Sequence, residues 1–368
     1  MKIGLIYHQF IHAGGLENYL IEFSRRLAAE GHELHIVTSR FTPEVTQKFK
    51  AQWHLIPRAP SPLLRMWHFN QAARWELRNL PTDVTIGFGR TTTHDFHRAG
   101  GGCHALYSRL LPWYKRYTAK NLLELALEKK LYNSGRTKHF IMNSARVVAQ
   151  MQGLYPGARE KCSVIYTAVD TEVFKPATHR EGHREITCRN MHTDASKPVG
   201  LFVSLSHRRK GLDALLQAWR GIDATLWIAG RPLSANYLAI IDNLGIKDKV
   251  RALPPTSDLT ALYQAADWFI HPTLYDACAN TVLQSMACGL PGIISVQDGA
   301  IDHIRDGENG FALYHPTRPD ELHRRLQDAL ATPPDQRAAM SARAREAMLP
   351  FTWDAHVAEW MKVIKSKP

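Results

Sequence analysis

Two stretches of the sequence place reactive side chains in matching positions, each between an apolar run and a helical pattern. Residues 206–211, Ser-His-Arg-Arg-Lys-Gly, set Arg209 beside Lys210 directly after the apolar run 199–204. Adjacent cations ahead of a helix suit a diphosphate, whose charge they neutralise through charge-assisted bonds. Residues 268–295 set Asp276 on the polar loop 273–279, after the apolar run 268–270 and the pair His271-Pro272. The helix that follows takes Asn280 as its N-cap, carries Gln284 one turn in, and stops at Gly289 and Pro291. The start of such a helix offers backbone N–H groups and a positive dipole end, here at Ala277, Cys278, Ala279, Asn280 and Thr281. Asp276 and these amides suit sugar hydroxyls, and Gln284 suits a ribose. A diphosphate, a sugar and a ribose together describe a nucleotide sugar.

Two further stretches speak more softly. Gly14-Gly15 lets the backbone turn and approach a ligand at the start of a helix, although most Gly-Gly pairs are only turns. It is not the G-x-G-x-x-G fingerprint, so no NAD site is expected. The polar loop 91–104 ends in Gly100-Gly101-Gly102-Cys103-His104. Lone histidines are mostly structural, but three glycines just before this one point to backbone held close to a ligand, with His104 at the rim.

The elements that must position these groups alternate between strand and helix. An apolar run at 3–7, the loop 8–15, an amphipathic helix from Leu16 and a second run at 34–38 form a βαβ unit and require a parallel sheet. Strands at 53–56, 84–88, 140–143 and 163–166, with helices at 71–80, 121–131 and 145–154, continue the first series. Residues 177–197 have little apolar periodicity and read as a linker. A second series starts at 199 with strands at 224–229, 250–253, 292–295 and 310–314. The expected fold class is α/β, with doubly wound Rossmann-like domains at 1–176 and 198–350 facing each other across a cleft. The segment 351–368, with Trp353, Val357, Trp360, Met361 and Ile364 on one helical face, should pack back on the first domain.

The chain has 368 residues, enough for two cores, and an ordinary globular composition. No apolar run is long enough to span a bilayer, and the N-terminus has the periodicity of a strand and not of a signal peptide. Five cysteines without regular spacing predict reduced thiols in a cytoplasmic protein, and no Cys/His grouping has zinc spacing. The formal net charge of +12 predicts anionic partners. Between 105 and 138 eight basic residues, Arg109, Lys115, Arg116 and Lys120 among them, stand against Glu124 and Glu128, interleaved with Tyr107, Trp113, Tyr114 and Tyr117. That mixture suits an anionic membrane surface; a solvated helix face with a few packed aromatics is the plainer alternative. No nucleic-acid-binding pattern occurs.

At Arg209-Lys210-Gly211 and at residues 275–291, ending in the run Ala-Cys-Gly-Leu-Pro, the sequence resembles the retaining GT-B glycosyltransferases of family 4. The family's two acidic positions fall on Asp276 and Gln284. Residues 13–17, Ala-Gly-Gly-Leu-Glu, match a glycine loop common in the family, and Val169-Asp170-Thr171 with Phe174 fit the segment before its linker. Within the family the chain looks most like the lipopolysaccharide-core glucosyltransferases that add glucose from UDP-glucose to heptose; Cys103 and its neighbours share that likeness.

The resemblance implies a cofactor-free, metal-independent transfer with retained anomeric configuration. Arg209 and Lys210 would hold the diphosphate, Asp276 and the amides that follow it the donor sugar, and Gln284 the ribose. Gly14 and Gly15 would lie against the phosphates and acceptor, and His104 would sit near the sugar or acceptor. The implied partners are a nucleotide sugar, a lipid-linked or lipopolysaccharide glycan, and an anionic membrane, with the protein held peripherally at the inner face of the cytoplasmic membrane. Asp276 stands where glutamate is usual and Gln284 where a carboxylate is usual. A degenerate member that binds nucleotide or membrane, or a nucleotide-sugar epimerase of the same fold, are the rival readings.

Overall fold

The computed structural model describes residues 1–12, 14–62, 64–254 and 258–367. Ala13 of the glycine loop, Leu63, Pro255, Thr256, Ser257 and Pro368 lie outside the described residues. The chain forms two compact units. Residues 1–167 and the C-terminal segment from Trp353 make the first, and residues 168–352 make the second.

The first unit is built on a parallel sheet of β1 (Lys2–Ile6), β2 (Glu33–Thr38), β3 (Gln52–Leu55), β4 (Val84–Gly87), β5 (Phe96–Arg98), β6 (His139–Met142) and β7 (Cys162–Val164). The order is β3-β2-β1-β4-β5-β6-β7, so the chain reverses direction of growth between β1 and β4. Leu5 of β1 faces Ile36 on one side and Ile86 on the other. β1 is apolar and buried after its first residue because helices cover both faces of the sheet. The C-terminal helix Trp353–Ser366 packs on the helix Gly15–Ala29. Val357, Trp360 and Ile364 enter the same core as Phe23 and Phe88. His356 fixes this docking: Tyr19 Oη lies 2.8 Å from its Nε2, and its Nδ1 lies 2.8 Å from the Tyr166 carbonyl. Burial, and then the charge of Arg98, push His356 down to about 3, so the ring is neutral and Nδ1 donates to the carbonyl while Nε2 accepts from the tyrosine.

The second unit holds β8 (Val199–Ser204), β9 (Thr225–Gly230), β10 (Val250–Ala252), β11 (Trp268–His271), β12 (Gly292–Ser295) and β13 (Gly310–Leu313). Their order is β10-β9-β8-β11-β12-β13, with every pairing parallel. Here the reversal falls between β8 and β11. In such sheets the loops beyond the carboxyl ends of the two strands at the reversal diverge and leave a crevice for ligands.

Three expectations are corrected. Residues 177–197 are no open linker: Arg180–Asn190 is a helix of the second unit packed on the helix Leu259–Ala265. It lacks a clear apolar stripe because its arginines fasten it, Arg180 Nη2 at 2.9 Å and Arg184 Nη1 at 2.8 Å from the buried carboxylate of Asp267. The stretch 91–104 is not all loop, since β5 runs through it. β5 reads as polar because it buries His97 and Arg98, which are met by His94 just before the strand and by the distant Thr167. The helix expected at 71–80 begins earlier and spans Leu64–Asn79.

Candidate active site

The second unit brings the two reactive stretches together at its strand reversal. The loop after β8 carries Arg209 and Lys210, and the loop after β11 carries Asp276. Gly211 makes their close approach possible. Its φ is +83°, and a Cβ there would collide with the Pro272 carbonyl oxygen. Two bonds from the second loop clamp the first: Leu274 N donates to the Arg209 carbonyl at 2.9 Å, and Thr273 Oγ1 donates to it at 3.2 Å.

At the centre, Asp276 Oδ2 accepts from Lys210 Nζ at 2.5 Å and from Arg209 Nη1 at 2.8 Å. Arg209 Nη1 also donates to the Tyr275 carbonyl at 3.0 Å. Burial pushes the Asp276 carboxyl up, but the charges of Lys210 and Arg209 outweigh it and hold the group well below the usual carboxylate range. Asp276 is therefore an anion at any ordinary pH.

His271, the last residue of β11, lies under this cluster with no solvent exposure. Lys210 Nζ is 3.2 Å from its Nε2. Asp298 Oδ2 lies 2.9 Å from the same nitrogen, so Nε2 stands between an ammonium and a carboxylate. Burial, and then the charge of Lys210, push His271 down and keep it neutral. His271, Asp276 and Asp298 have ligand atoms within 4.8 Å of one another, a spacing that could hold a metal ion. The Lys210 ammonium stands among these groups and supplies a fixed positive charge of its own.

Asp298 also corrects the expected cap. The helix spans Asn280–Ala287, so Asn280 is its first residue and Ala279 the cap position. The side chain that serves this end comes from the loop after β12: Asp298 Oδ1 accepts from Ala279 N at 3.0 Å and from Ala300 N at 2.8 Å. Ala277, Cys278 and Ala279 are buried beside it, and Thr281 Oγ1 is buried without a hydrogen-bond partner among the described residues. Gln284 Oε1 accepts from the Tyr263 hydroxyl at 3.4 Å. The roles of His271 and Asp298 were not legible beforehand. The one available signal was a histidine at the end of an apolar strand, next to a proline.

In the first unit the remaining candidates fall in different settings. Gly14 precedes the helix Gly15–Ala29 in extended backbone, φ −171°, which any residue adopts. Its special freedom is unused; a Cβ there would instead meet Glu17 Oε2 at 3.0 Å. His104 is not a rim group. It is buried at the start of the helix His104–Arg109, with Nε2 2.9 Å from Asn121 Oδ1 and 3.2 Å from Glu124 Oε2. Its backbone N–H donates to the buried Glu128 carboxylate at 2.7 Å, which also accepts from Ala105 N and from the Tyr155 hydroxyl. Arg109, Trp113, Lys115, Arg116 and Lys120 are all exposed, with Trp113 75% accessible. Among the described residues no helix is long and apolar enough to cross a membrane. Among the described residues, which include all five cysteines, no disulfide is formed.

Comparison with known proteins agrees with this architecture. Residues 13–173 match the family model described as Glycosyltransferase Family 4, and residues 188–347 match Glycosyl transferases group 1. The chain is 21% identical to the lipopolysaccharide glucosyltransferase WaaG of Escherichia coli strain K12 over 360 residues, which is 94% of this chain and 93% of that protein. A crystal structure of WaaG, described as a glycosyltransferase involved in lipopolysaccharide biosynthesis, superposes with a TM-score of 0.82 at 20% identity, covering 98% of this chain and 99% of that one. Anabaena HepE in complex with UDP and glucose superposes with a TM-score of 0.77 at 17% identity over the full length of both chains. At these identities the structural likeness establishes the fold. Two successive family matches, each on its own parallel-sheet unit, make this chain a member of the GT-B glycosyltransferases, a family 4 domain followed by a group 1 domain.

Proposed function

We propose that the protein transfers a hexose, glucose as the first choice, from a UDP-sugar to a lipid-linked or lipopolysaccharide-core glycan, with retention of anomeric configuration and without a metal ion. The observation that carries this reading is the placing of Lys210 and Arg209 on Asp276 at the strand reversal of the second unit. The Asp276 carboxylate is the counter-ion of both cations. A donor diphosphate offers them a stronger one, and the exchange leaves Asp276 able to accept from sugar hydroxyls. Lys210 and Arg209 then meet the charge that grows on the departing diphosphate, the part a divalent metal plays elsewhere. Lys210 is largely buried, so its share of that stabilisation is larger than it would be in bulk solvent. Thr281, at the start of the helix Asn280–Ala287, is a further group for sugar and phosphate oxygens, and Gln284 is the group for the ribose. The leaving phosphate takes the acceptor proton as the new bond forms on the same face, so no protein nucleophile is required.

The choice of UDP and glucose is supported by WaaG, named as a lipopolysaccharide glucosyltransferase, and by HepE, solved with UDP and glucose. We place the protein at the inner face of the cytoplasmic membrane, held peripherally by the segment 105–138. The exposed Trp113, Tyr114 and Tyr117 among Arg109, Lys115, Arg116 and Lys120 support that placement. The test is turnover of UDP-glucose with a lipopolysaccharide-core acceptor and with donor alone, in the wild type and in Lys210→Ala. Product only when acceptor is present, and lost in the variant, is the expected result. Conversion of the donor without acceptor would favour epimerisation, and undiminished turnover by Lys210→Ala would end the diphosphate role.

A further inference from the structure

The first unit contains a pocket of about 420 Å³ whose charge the donor site does not explain. That volume lies in the range of ~300–1,000 Å³ common for small-molecule sites. It opens where the first sheet reverses, at the carboxyl ends of β1, β4 and β5. Five cations line it, Arg58, Arg65, Arg90, Arg98 and Lys120, against one carboxylate, Glu124.

Two of the cations are answered by the protein. Arg90 Nη1 lies 3.3 Å from the buried Glu128, and Lys120 lies 4.0 Å from Glu124. Arg58, Arg65 and Arg98 make no ion pair among the described residues. Arg65 is held in place by two backbone carbonyls, its Nε donating to Ala59 at 3.2 Å and its Nη2 to Pro60 at 3.3 Å.

Arg98 is the informative residue. It is 4% exposed, at the end of β5. Its guanidinium lies 3.7 Å from the centre of the Tyr19 ring, and Nη2 donates to Thr167 Oγ1 at 2.9 Å. Its Nε is buried without a hydrogen-bond partner among the described residues. Its Nη1 lies beside Gly100, in space that a Cβ there would contest. A buried guanidinium with no carboxylate is costly unless an anion completes it. His8 reports the same field: burial pushes its ring down, and Arg58 and Lys120 add to that against the opposing pull of Glu17.

We infer that this pocket binds a phosphate group carried by the acceptor, with Arg98, Arg58 and Arg65 as its ligands. A phosphomonoester brings three strong acceptor oxygens and nearly two charges, which match a planar guanidinium donor set better than a neutral sugar does. The same chemistry could come from the donor diphosphate, but the donor cations Lys210 and Arg209 belong to the other unit. The word acceptor rests on the proposed transfer reaction; the phosphate site itself does not.

The test uses the full chain saturated with UDP, titrated by calorimetry at constant ionic strength with inorganic phosphate, glucose 6-phosphate and glucose. Both phosphates bind and glucose does not. Arg98→Gln and Arg58→Gln each weaken phosphate binding by about tenfold or more, while the affinity for UDP stays unchanged. Arg98 also packs on Tyr19, so Arg58→Gln, at an exposed position, carries the test if the Arg98 variant does not fold. Wild-type phosphate affinity in Arg58→Gln and Arg65→Gln would overturn the inference. So would displacement of phosphate by UDP together with its loss in Lys210→Ala, which would assign the anion to the donor. Failure of UDP to bind while phosphate binding stays intact would defeat the nucleotide-sugar reading and leave the phosphate site standing.

Discussion

Replacing Lys210 by methionine removes one charge from the centre of the second unit while keeping an apolar stem of similar length. At the observed 2.5 Å and an effective dielectric constant near 20, the Lys210–Asp276 attraction is about 7 kcal/mol before desolvation. Taking both ions out of water offsets several kcal/mol of that. Arg209 remains 2.8 Å from the same oxygen in the variant, so Asp276 is not left without a partner. We expect Lys210→Met to cost about 2–3 kcal/mol, and Lys210→Met/Asp276→Leu to cost less than the two single changes summed, by a coupling of about 1.5–3 kcal/mol. Urea unfolding followed by tryptophan emission reads this, because Trp219 and Trp227 are buried in the second unit's core. The sign of the pH dependence follows from the depressed Asp276 pKa. Stability from a lowered carboxylate pKa is fully present above the unfolded value, near ~3.9, and is lost as pH falls through the folded value. The gap between wild type and Lys210→Met therefore narrows as pH falls below ~4. The His271 ring should also titrate higher in the variant, since the charge of Lys210 is the second cause, after burial, of its depression. Strictly additive single changes, or a gap that persists undiminished into acid, would refute the coupling.

Four further outcomes follow from single contacts. Gly211→Ala should destabilise the second unit by about 2 kcal/mol or more in thermal unfolding, because φ is +83° and the Pro272 carbonyl oxygen blocks a Cβ; a change under ~0.5 kcal/mol would contradict the geometry. Asp298→Ala leaves Ala279 N and Ala300 N without their acceptor and should cost about 2–4 kcal/mol in urea unfolding, whereas Asp298→Asn, which keeps an oxygen, should cost less; equal losses would mean that the hydrogen bonds are not the cause. Trp360→Ala empties a fully buried site between the C-terminal helix and its neighbours and should cost the first unit about 3–5 kcal/mol, read as protease sensitivity at residues 353–366; wild-type resistance would show that the helix does not hold that core. Gln284→Glu supplies the stronger acceptor and should tighten UDP binding by about 1 kcal/mol, near fivefold, in calorimetry; weaker binding would remove Gln284 from the ribose.

The alternation of apolar runs and amphipathic helices was enough to establish two parallel-sheet units, because strands buried on both faces leave a local apolar signature that no neighbour can alter. Arg209-Lys210-Gly211 and Asp276 were legible for a similar reason: each sits on a loop between a strand and a helix, a position defined by its immediate neighbours. What the sequence could not state was which side chains would meet. Lys210 and Asp276 are 66 residues apart, and their bond exists only because β8 and β11 lie side by side in the sheet. Asp298 reaches the start of the helix Asn280–Ala287 from a loop beyond the next strand, which is why Asn280 looked like the cap. His104 looked like a ligand beside its three glycines until the helix Ala119–Asn133 closed over it. Arg58 follows β3, Arg65 lies in the helix Leu64–Asn79 and Arg98 ends β5, and the three became one set of charges only when the fold brought these elements around one pocket. The sequence by itself determined the class of fold and the loops that bear the chemistry, through propensity and periodicity that act over a few residues. The tertiary structure alone decided the partner of each charge, because an ion pair or a buried unpaired cation depends on distance in space and on exclusion of water, and neither is a property of the local sequence.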